Sequence, residues 1–410
     1  MNTTNRLDRL LDSILPGPQP LYDRLSAHRR QKLKRTLRWA QKTKNYQERA
    51  GDGLAKALSI LSGQDREEFN SQRDENLIYK AIEELPFTYP SDLALRPDEF
   101  LAVSQDDVEG VVSIPTSGSS GLIKRIYSTA SDLENIIQFF QYGMLHLVEP
   151  GRGDKVSLMM PGRRPGTVGH LLTAALDRWG IACHVADFIP PDISEAQRWF
   201  EELIRREPTC LVGLPSQIFY LGRLFPKIPT VKSLLLSGEP APESIRQALT
   251  DDWGSEVFLH YGLTEFGLGG AVECREHKGP HLREADLLAE IVDTNGRRLN
   301  DGEEGELTIT SLSRRAMPII RYRTGDRACL INKLCPCGSV LRRLLVKSRM
   351  ADDLTFEDQG YLTFSQLSHE VYELPFLTAF SASYRQRPQK ILTLNLGLSP
   401  AWLGRSDEAE

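Results

Sequence analysis

Leu7, Leu10, Leu11 and Ile14 fall at helical spacing near the start of the chain. Pro16 and Pro18 separate them from a second helical stretch that runs to about residue 48. That stretch carries basic residues from Arg29 to Lys44, whose expected place is a solvated helix face, with a binding patch as the alternative. Residues 50–110 read as further helices and loops, punctuated by the segment LPFTYPSDL. From 110 to 330 the pattern changes. Short apolar runs at 111–114, 156–160, 210–214, 233–236 and 257–260 alternate with helical stretches at 131–147, 168–179 and 194–205. Such alternation predicts an α/β domain with a substantially parallel sheet. Strand-like runs follow at 287–292, 305–310 and 319–322, joined by Asn295-Gly296 and Asp301-Gly302 turns. A tail of about sixty residues from Arg349 has strand–helix–strand–strand character.

With 410 residues the chain exceeds one hydrophobic core, so a large domain over 1–348 and a small one over 349–410 are expected. A net charge of −5 gives no electrostatic reason for nucleic acid or an anionic membrane as partner. The N-terminus lacks a basic region followed by an apolar core, and no apolar run approaches the ~18 residues that span a bilayer. The cytoplasm is the expected compartment. Six cysteines are too few for a disulfide scaffold in a chain of this length.

Three segments carry chemistry. Thr116-Ser117-Gly118-Ser119-Ser120-Gly121-Leu122-Ile123-Lys124 follows the run 111–114. Its glycines let backbone N–H groups face an anion, its hydroxyls add donors, and Lys124 adds a cation. It can cradle the phosphates of ATP, although its glycine spacing is not that of a P-loop. A flexible connection is the plainer alternative. His260-Tyr261-Gly262-Leu263-Thr264-Glu265 follows the run 257–260. Tyr261 can pack on a nucleobase, Thr264 can bond a phosphate oxygen, and Glu265 can hold Mg2+, which prefers hard oxygen ligands. A capped turn after a strand is the alternative. In Pro318-Ile319-Ile320-Arg321-Tyr322-Arg323-Thr324-Gly325-Asp326, the aspartate beyond a strand and a glycine turn suits both hydroxyls of a ribose. Buried ion pairs are the structural alternative for Arg321 and Arg323.

These segments, in this order and with Ser237-Gly238-Glu239-Pro240 before the second, resemble the adenylate-forming, AMP-binding superfamily, and its phenylacetate–CoA ligase branch most of all. The resemblance takes in LPFTYPSDL, Gly302-Glu303-Glu304-Gly305-Glu306-Leu307 and Cys335-Pro336-Cys337-Gly338, and covers roughly residues 30–355. Ile123 departs from it, since many members carry proline before the lysine. It implies an adenylate-forming ligase fold and ATP- and Mg2+-dependent activation of a carboxylic acid as its acyl-AMP. Coenzyme A is the implied acceptor, and an aryl or arylacetic acid the implied substrate. A different acceptor, or an ATP- or AMP-binding scaffold without activity, are the other readings. The resemblance assigns Thr116, Ser117, Gly118, Ser119, Ser120, Gly121 and Lys124 to the pyrophosphate end of ATP. It assigns Gly238, Glu239 and Pro240 to one wall of the adenine slot, Tyr261 to a place close to the base and Thr264 to the α-phosphate, with Gly262 among the nucleotide-binding residues. Glu265 is assigned to Mg2+ and Asp326 to the ribose. Arg349, in Ser348-Arg349-Met350-Ala351-Asp352-Asp353, resembles the hinge segment, with a serine for its glycine and one extra residue. Residues 157–170 and 212–216 occupy the family position of the acyl pocket. A carboxylic acid with a pKa of about 4 is already ionised at neutral pH and needs no general base. Accordingly no Ser-His-Asp or Cys-His nucleophile constellation stands out.

Cys274, His281, Cys335 and Cys337 add a candidate zinc site. Three thiolates and one imidazole make a closed tetrahedral set, the structural type of site, and some relatives carry this arrangement. His277 competes by proximity, and reduced core cysteines near a turn are the alternative. Cys183, Cys210 and Cys329 sit in apolar runs and read as core, and His170 and His184 read as ordinary packing, with a place facing the acyl pocket as the alternative. In the tail the one lysine beyond Lys347 is Lys390, which does not resemble the lysine motif that the family's mobile C-terminal domain bears. A homodimer is compatible with this reading and is not specified by it.

Overall fold

Leu33, Leu37 and Ala40 recur at spacings of four and three along the helix Leu21–Ala40 and are fully buried. They join Tyr46, Ile78, Ile82, Phe100, Ile320 and Tyr322 in one apolar cluster. The structure, a computed structural model, describes residues 6–62, 70–115, 123–160, 162, 164–356, 360–385 and 391–399. The chain divides into two compact units: Met1–His146, Arg164–Ala175 and Tyr261–Val346 form one, and Leu147–Arg163, Leu176–His260 and Lys347–Glu410 the other.

In the first unit the N-terminal part is helical, with Arg6–Ile14, Leu21–Ala40, Lys44–Ala50, Gly53–Ser62 and Ser71–Ile82. The start of the basic stretch does not lie on a solvated face. Arg29 is 1% exposed and pairs with Glu75, with Glu284 3.7 Å away. Arg30 reaches Asp74 at 3.0 Å, and Lys32 pairs with Asp286. Arg35, Arg38, Lys42 and Lys44 are exposed as expected. The difference arises because the helix lies over the carboxylates of Glu75, Glu284 and Asp286, which need cations once buried.

Antiparallel strands fill the C-terminal part of this unit, in the spatial order Leu287–Val292, Gly305–Ser311, Tyr322–Ile331, Arg343–Arg349, His281–Leu282, Ala271–Val272. The apolar run 319–322 is not a strand; the strand begins at Tyr322. Ile319, Ile320 and Arg321 are buried in irregular backbone whose polar groups are taken up by side chains and by the LPFTYPSDL segment. Ile320 N–H donates to the Tyr46 hydroxyl at 2.8 Å and Arg321 N–H to Thr310 Oγ1 at 2.9 Å. Thr88 N–H donates to Arg321 O at 3.0 Å, and Arg323 N–H to Thr88 O at 2.9 Å. Arg321 forms the buried pair that was the structural alternative for it, meeting both Glu290 oxygens at 2.9 and 3.2 Å, and Arg323 Nε donates to Glu306 at 2.8 Å. The hairpin Gly110–Pro115 and Ile123–Ser128 is a separate two-stranded sheet, followed by the helix Ala130–Met144.

The second unit carries the parallel sheet that the alternation predicts. Its strands lie in the order Glu256–Tyr261, Ser233–Leu236, Cys210–Gly213, Lys155–Met159, Ala182–Val185, each parallel to its neighbours. Every residue of Cys210–Gly213 and Ser233–Leu236 is buried, as central parallel strands must be. Helices Ile193–Arg205, Pro215–Leu224 and Glu243–Trp253 intervene in sequence. The tail belongs to this unit and has one more strand than its pattern suggests: Leu354–Phe356 and Gly360–Leu362 pair before the helix Phe364–Tyr372, and Leu377–Arg385 pairs with Ile391–Leu398 after it. Val371, Tyr372 and Leu377 share an apolar cluster with Ile218, Phe219, Leu249 and Trp253. Lys390 lies outside the described residues.

Candidate functional site

Along the strand Ile123–Ser128 burial alternates, and the period places Lys124 inward. Its Nζ meets Glu265 Oε1 at 2.5 Å. Glu265 reaches that point because the chain leaves Tyr261 through a tight turn: the 3-10 segment Thr264–Phe266 ends on Gly267 at φ 92°, a conformation glycine adopts without strain. Glu265 is 1% exposed. Tyr322, at the start of its strand, donates its hydroxyl to the same Oε1 at 2.6 Å and accepts from Lys124 Nζ at 3.4 Å. Oε2 of Glu265 is buried and has no hydrogen-bond partner among the described residues. One carboxylate oxygen is therefore doubly held while the other is unused, the state of a buried acceptor made for something further. Thr264, half-buried, begins the turn.

Asp326 sits within the strand Tyr322–Ile331, not beyond a strand and a turn as its sequence context suggests. Opposite it, the register jumps from the pair Thr308–Arg323 to the pair Glu306–Arg327, so that strand carries extra residues in a bulge around Gly325, which has φ 77°. The bulge re-aims Asp326, whose Oδ2 accepts from the Tyr261 hydroxyl at 2.6 Å. Gly262 is half-buried between Tyr261 and the Thr264 turn. These residues of the first unit come together as two linked groups, Lys124 with Glu265 and Tyr322, and Tyr261 with Asp326.

Gly238, Glu239 and Pro240 belong to the second unit, just past the strand Ser233–Leu236, where ligands of parallel sheets bind. Gly238 has φ 89°, and a Cβ there would meet Leu214 Cδ2 at 2.8 Å, so both backbone and space require glycine. Glu239 Oε2 accepts from Ser216 N–H at 3.3 Å, and Ser237 Oγ bonds His260 Nδ1 at 2.8 Å. Arg349 ends the strand Arg343–Arg349 immediately before the turn Met350–Asp352. Thr116, Ser117, Gly118, Ser119, Ser120 and Gly121 lie outside the described residues.

Cys274, His281, Cys335 and Cys337 converge in the first unit, with all their donor atoms within 4.8 Å of one another. Cys274 and Cys335 sulfurs are 3.7 Å apart, and Cys337 Sγ lies 3.4 Å from His281 Nε2. A tetrahedral zinc with ordinary bond lengths requires about 3.8 Å between two sulfurs and about 3.6 Å between sulfur and nitrogen. The other imidazole nitrogen, Nδ1, lies 3.1 Å from Leu341 O, which fixes the ring with Nε2 toward the thiols. A hydrogen bond from Cys337 lowers the Cys274 thiol below its ordinary range. His277 stands outside the group, 3.5 Å from Glu273.

What sequence patterning did not single out is the Tyr322 hydroxyl. The available signal was its position four residues before Asp326 in the same motif, but an aromatic at a strand start is most simply read as core.

Residues 40–313 match the family model for AMP-binding enzymes. A phenylacetate–coenzyme A ligase of Thermus thermophilus is 28% identical over 281 residues, covering 63% of this chain and 59% of that one. The corresponding ligase of Aromatoleum evansii is 34% identical over 156 residues, covering 37% and 34%. The chain thus spans less than two thirds of the length of these relatives. Among solved structures, 2-hydroxyisobutyryl-CoA ligase in complex with its acyl-AMP superposes with a TM-score of 0.76 at 18% identity, covering 93% of this chain and 80% of that one. O-succinylbenzoate coenzyme A synthetase from Bacillus subtilis, solved with ATP and magnesium, gives 0.51 at 16% identity, with 80% and 68% covered. The fold is that of the adenylate-forming CoA ligases, and the chain belongs to the AMP-binding enzyme family.

Proposed function

We propose that the chain uses ATP and Mg2+ to convert a carboxylic acid, of aryl or arylacetic type, into its acyl-AMP, and then passes the acyl group to coenzyme A. The observation that carries this reading is the buried Lys124–Glu265–Tyr322 group with Glu265 Oε2 left over. A pure adenosine binder has no use for a buried lysine and a spare carboxylate oxygen. Both suit a triphosphate and its metal.

Glu265 would hold Mg2+, which when bound would supply neutralisation of the charge on the phosphates. The other roles fall to side chains. Lys124 exchanges its carboxylate partner for phosphate oxygens, and the segment 116–121 offers them N–H and hydroxyl donors. Thr264 donates to the α-phosphate. Asp326, oriented by Tyr261, accepts from the ribose hydroxyls. Because the substrate carboxylate is already ionised, alignment and charge neutralisation carry the barrier, and no base has to take a proton. Arg349 takes the hinge position at the start of the C-terminal domain. The cytoplasm supplies the reactants that this chemistry needs.

We assign a structural zinc ion to Cys274, His281, Cys335 and Cys337, on the support of their donor separations and the orientation of His281.

The reading is tested by pyrophosphate release over a panel of aromatic and aliphatic carboxylic acids, then by thioester formation with coenzyme A. No acid-dependent release with any of them would overturn it. A second measurement isolates the ribose contact. Asp326→Ala removes up to two charge-assisted hydrogen bonds, so the KM for ATP should rise about tenfold or more with kcat less affected. An unchanged KM would remove Asp326 from the nucleotide site.

A further inference from the structure

Two groups hold Glu265 Oε1, and they differ in kind. Lys124 sits on a flexible four-carbon stem in the hairpin strand next to the segment 116–122. Tyr322 is fixed by the fold. Its ring is 2% exposed within the cluster formed by Leu33, Leu37, Ile78 and Phe100, and its backbone pairs with Ile309 on one side and Thr88 on the other. From this contrast we infer that Tyr322 is a positioning residue for metal-dependent nucleotide binding: its hydroxyl keeps Glu265 in place when Lys124 leaves for the phosphates. The inference rests on the reading of Lys124 and Glu265 given above.

The physical case turns on the exchange of partners. As the structure stands, the charge of Glu265 is matched by Lys124 at 2.5 Å. When Lys124 turns to the phosphates, that match is lost in a site where an unpaired charge is costly. A divalent cation at Oε2 restores it, but only if the carboxylate keeps the rotamer that offers Oε2. A second fixed cation at Oε1 would compete with the metal for the negative charge. A neutral hydroxyl donor does not: it satisfies one oxygen and leaves the charge for the ion. Tyr322, at 2.6 Å, is such a donor. It is also the one of the two partners that has no other task in the reaction.

The test is Tyr322→Phe, which keeps the ring in the core and removes only the hydroxyl. Calorimetric titration of the full chain with ATP, once in EDTA and once with saturating Mg2+, gives the factor by which the metal tightens nucleotide binding. Tyr322→Phe should reduce that factor about tenfold while leaving affinity in EDTA unchanged and lowering the thermal midpoint only by the few degrees that one lost hydrogen bond accounts for. The same titration on Glu265→Gln separates this inference from its foundation. If Glu265→Gln loses the Mg2+-dependent factor and Tyr322→Phe keeps it in full, Tyr322 does not position Glu265. If Glu265→Gln itself keeps the factor, the metal assignment fails first. A Tyr322→Phe protein whose affinity falls equally with and without Mg2+ would make Tyr322 a core residue only and overturn the inference.

Discussion

Glu265→Gln should lower pyrophosphate release by two to three orders of magnitude, a loss of about 3–4 kcal/mol of transition-state stabilisation. Glutamine keeps the volume of the side chain and an oxygen that can accept from Tyr322, but it removes the charge at Oε2 that a metal requires. The complication is Lys124. Its ammonium is 2.5 Å from Glu265 and almost fully buried, so removing one charge leaves the other uncompensated, at a cost of about 3–5 kcal/mol in stability. Activity alone therefore does not distinguish a lost ligand from a loosened fold. The double variant Lys124→Met with Glu265→Gln does. With both charges gone, the thermal midpoint should return close to that of the parent, because a buried pair exchanged for uncharged groups of similar volume is often near neutral. Pyrophosphate release should stay at the level of the single variant or below. Recovery of activity along with stability would mean that the pair holds the hairpin to the Thr264 turn and does no chemistry.

How much of this was legible in the sequence depends on what satisfies each segment's polar groups. Runs 233–236 and 287–292 are strands Ser233–Leu236 and Leu287–Val292 because their side chains and their ladders agree, one buried in a parallel sheet and the other in an antiparallel one. Residues 319–321 carry the same apolar signal but are irregular, since Tyr46, Thr88 and Thr310 take the hydrogen bonds that a neighbouring strand would have taken. Those partners lie up to 274 residues away in sequence, beyond the reach of any local pattern. The bulge that aims Asp326 was invisible for a related reason. Gly325 signals a departure from regular backbone, but whether it makes a turn or a bulge is set by the partner strand Gly305–Ser311. Charge misled where burial decided: Arg29 and Lys32 read as solvated because the acidic partners Glu75, Glu284 and Asp286 are dispersed along the chain. The motif residues were legible because their spacing is itself the signal. Lys124 and Glu265, 141 residues apart, do meet.

The second large effect concerns the thiol cluster. Protein purified without chelator should contain about one zinc per chain, and Cys335→Ser should lower the thermal midpoint by roughly 5–10 °C while changing ATP affinity little. Cys274 lies on the segment between Val272 and the strand His281–Leu282, which His281 opens, and Cys335 and Cys337 lie on the loop between the strands Tyr322–Ile331 and Arg343–Arg349. Each loop closes on a short backbone bond, His277 N–H to Cys274 O at 3.1 Å and Gly338 N–H to Cys335 O at 2.9 Å. An ion bridging them clips the two connections together, and its binding free energy adds directly to that of folding. Cys335 is almost fully buried, so serine in its place leaves a weaker ligand in a closed site, costing about 3 kcal/mol while the ion is bound. The size of the effect should depend on metal: after exhaustive chelation, parent and variant should melt within about 2 °C of each other, because the lost ligand matters only while an ion is bound. A parent that melts at the same temperature with and without chelator, and carries no metal, would reduce the four residues to buried thiols beside a histidine.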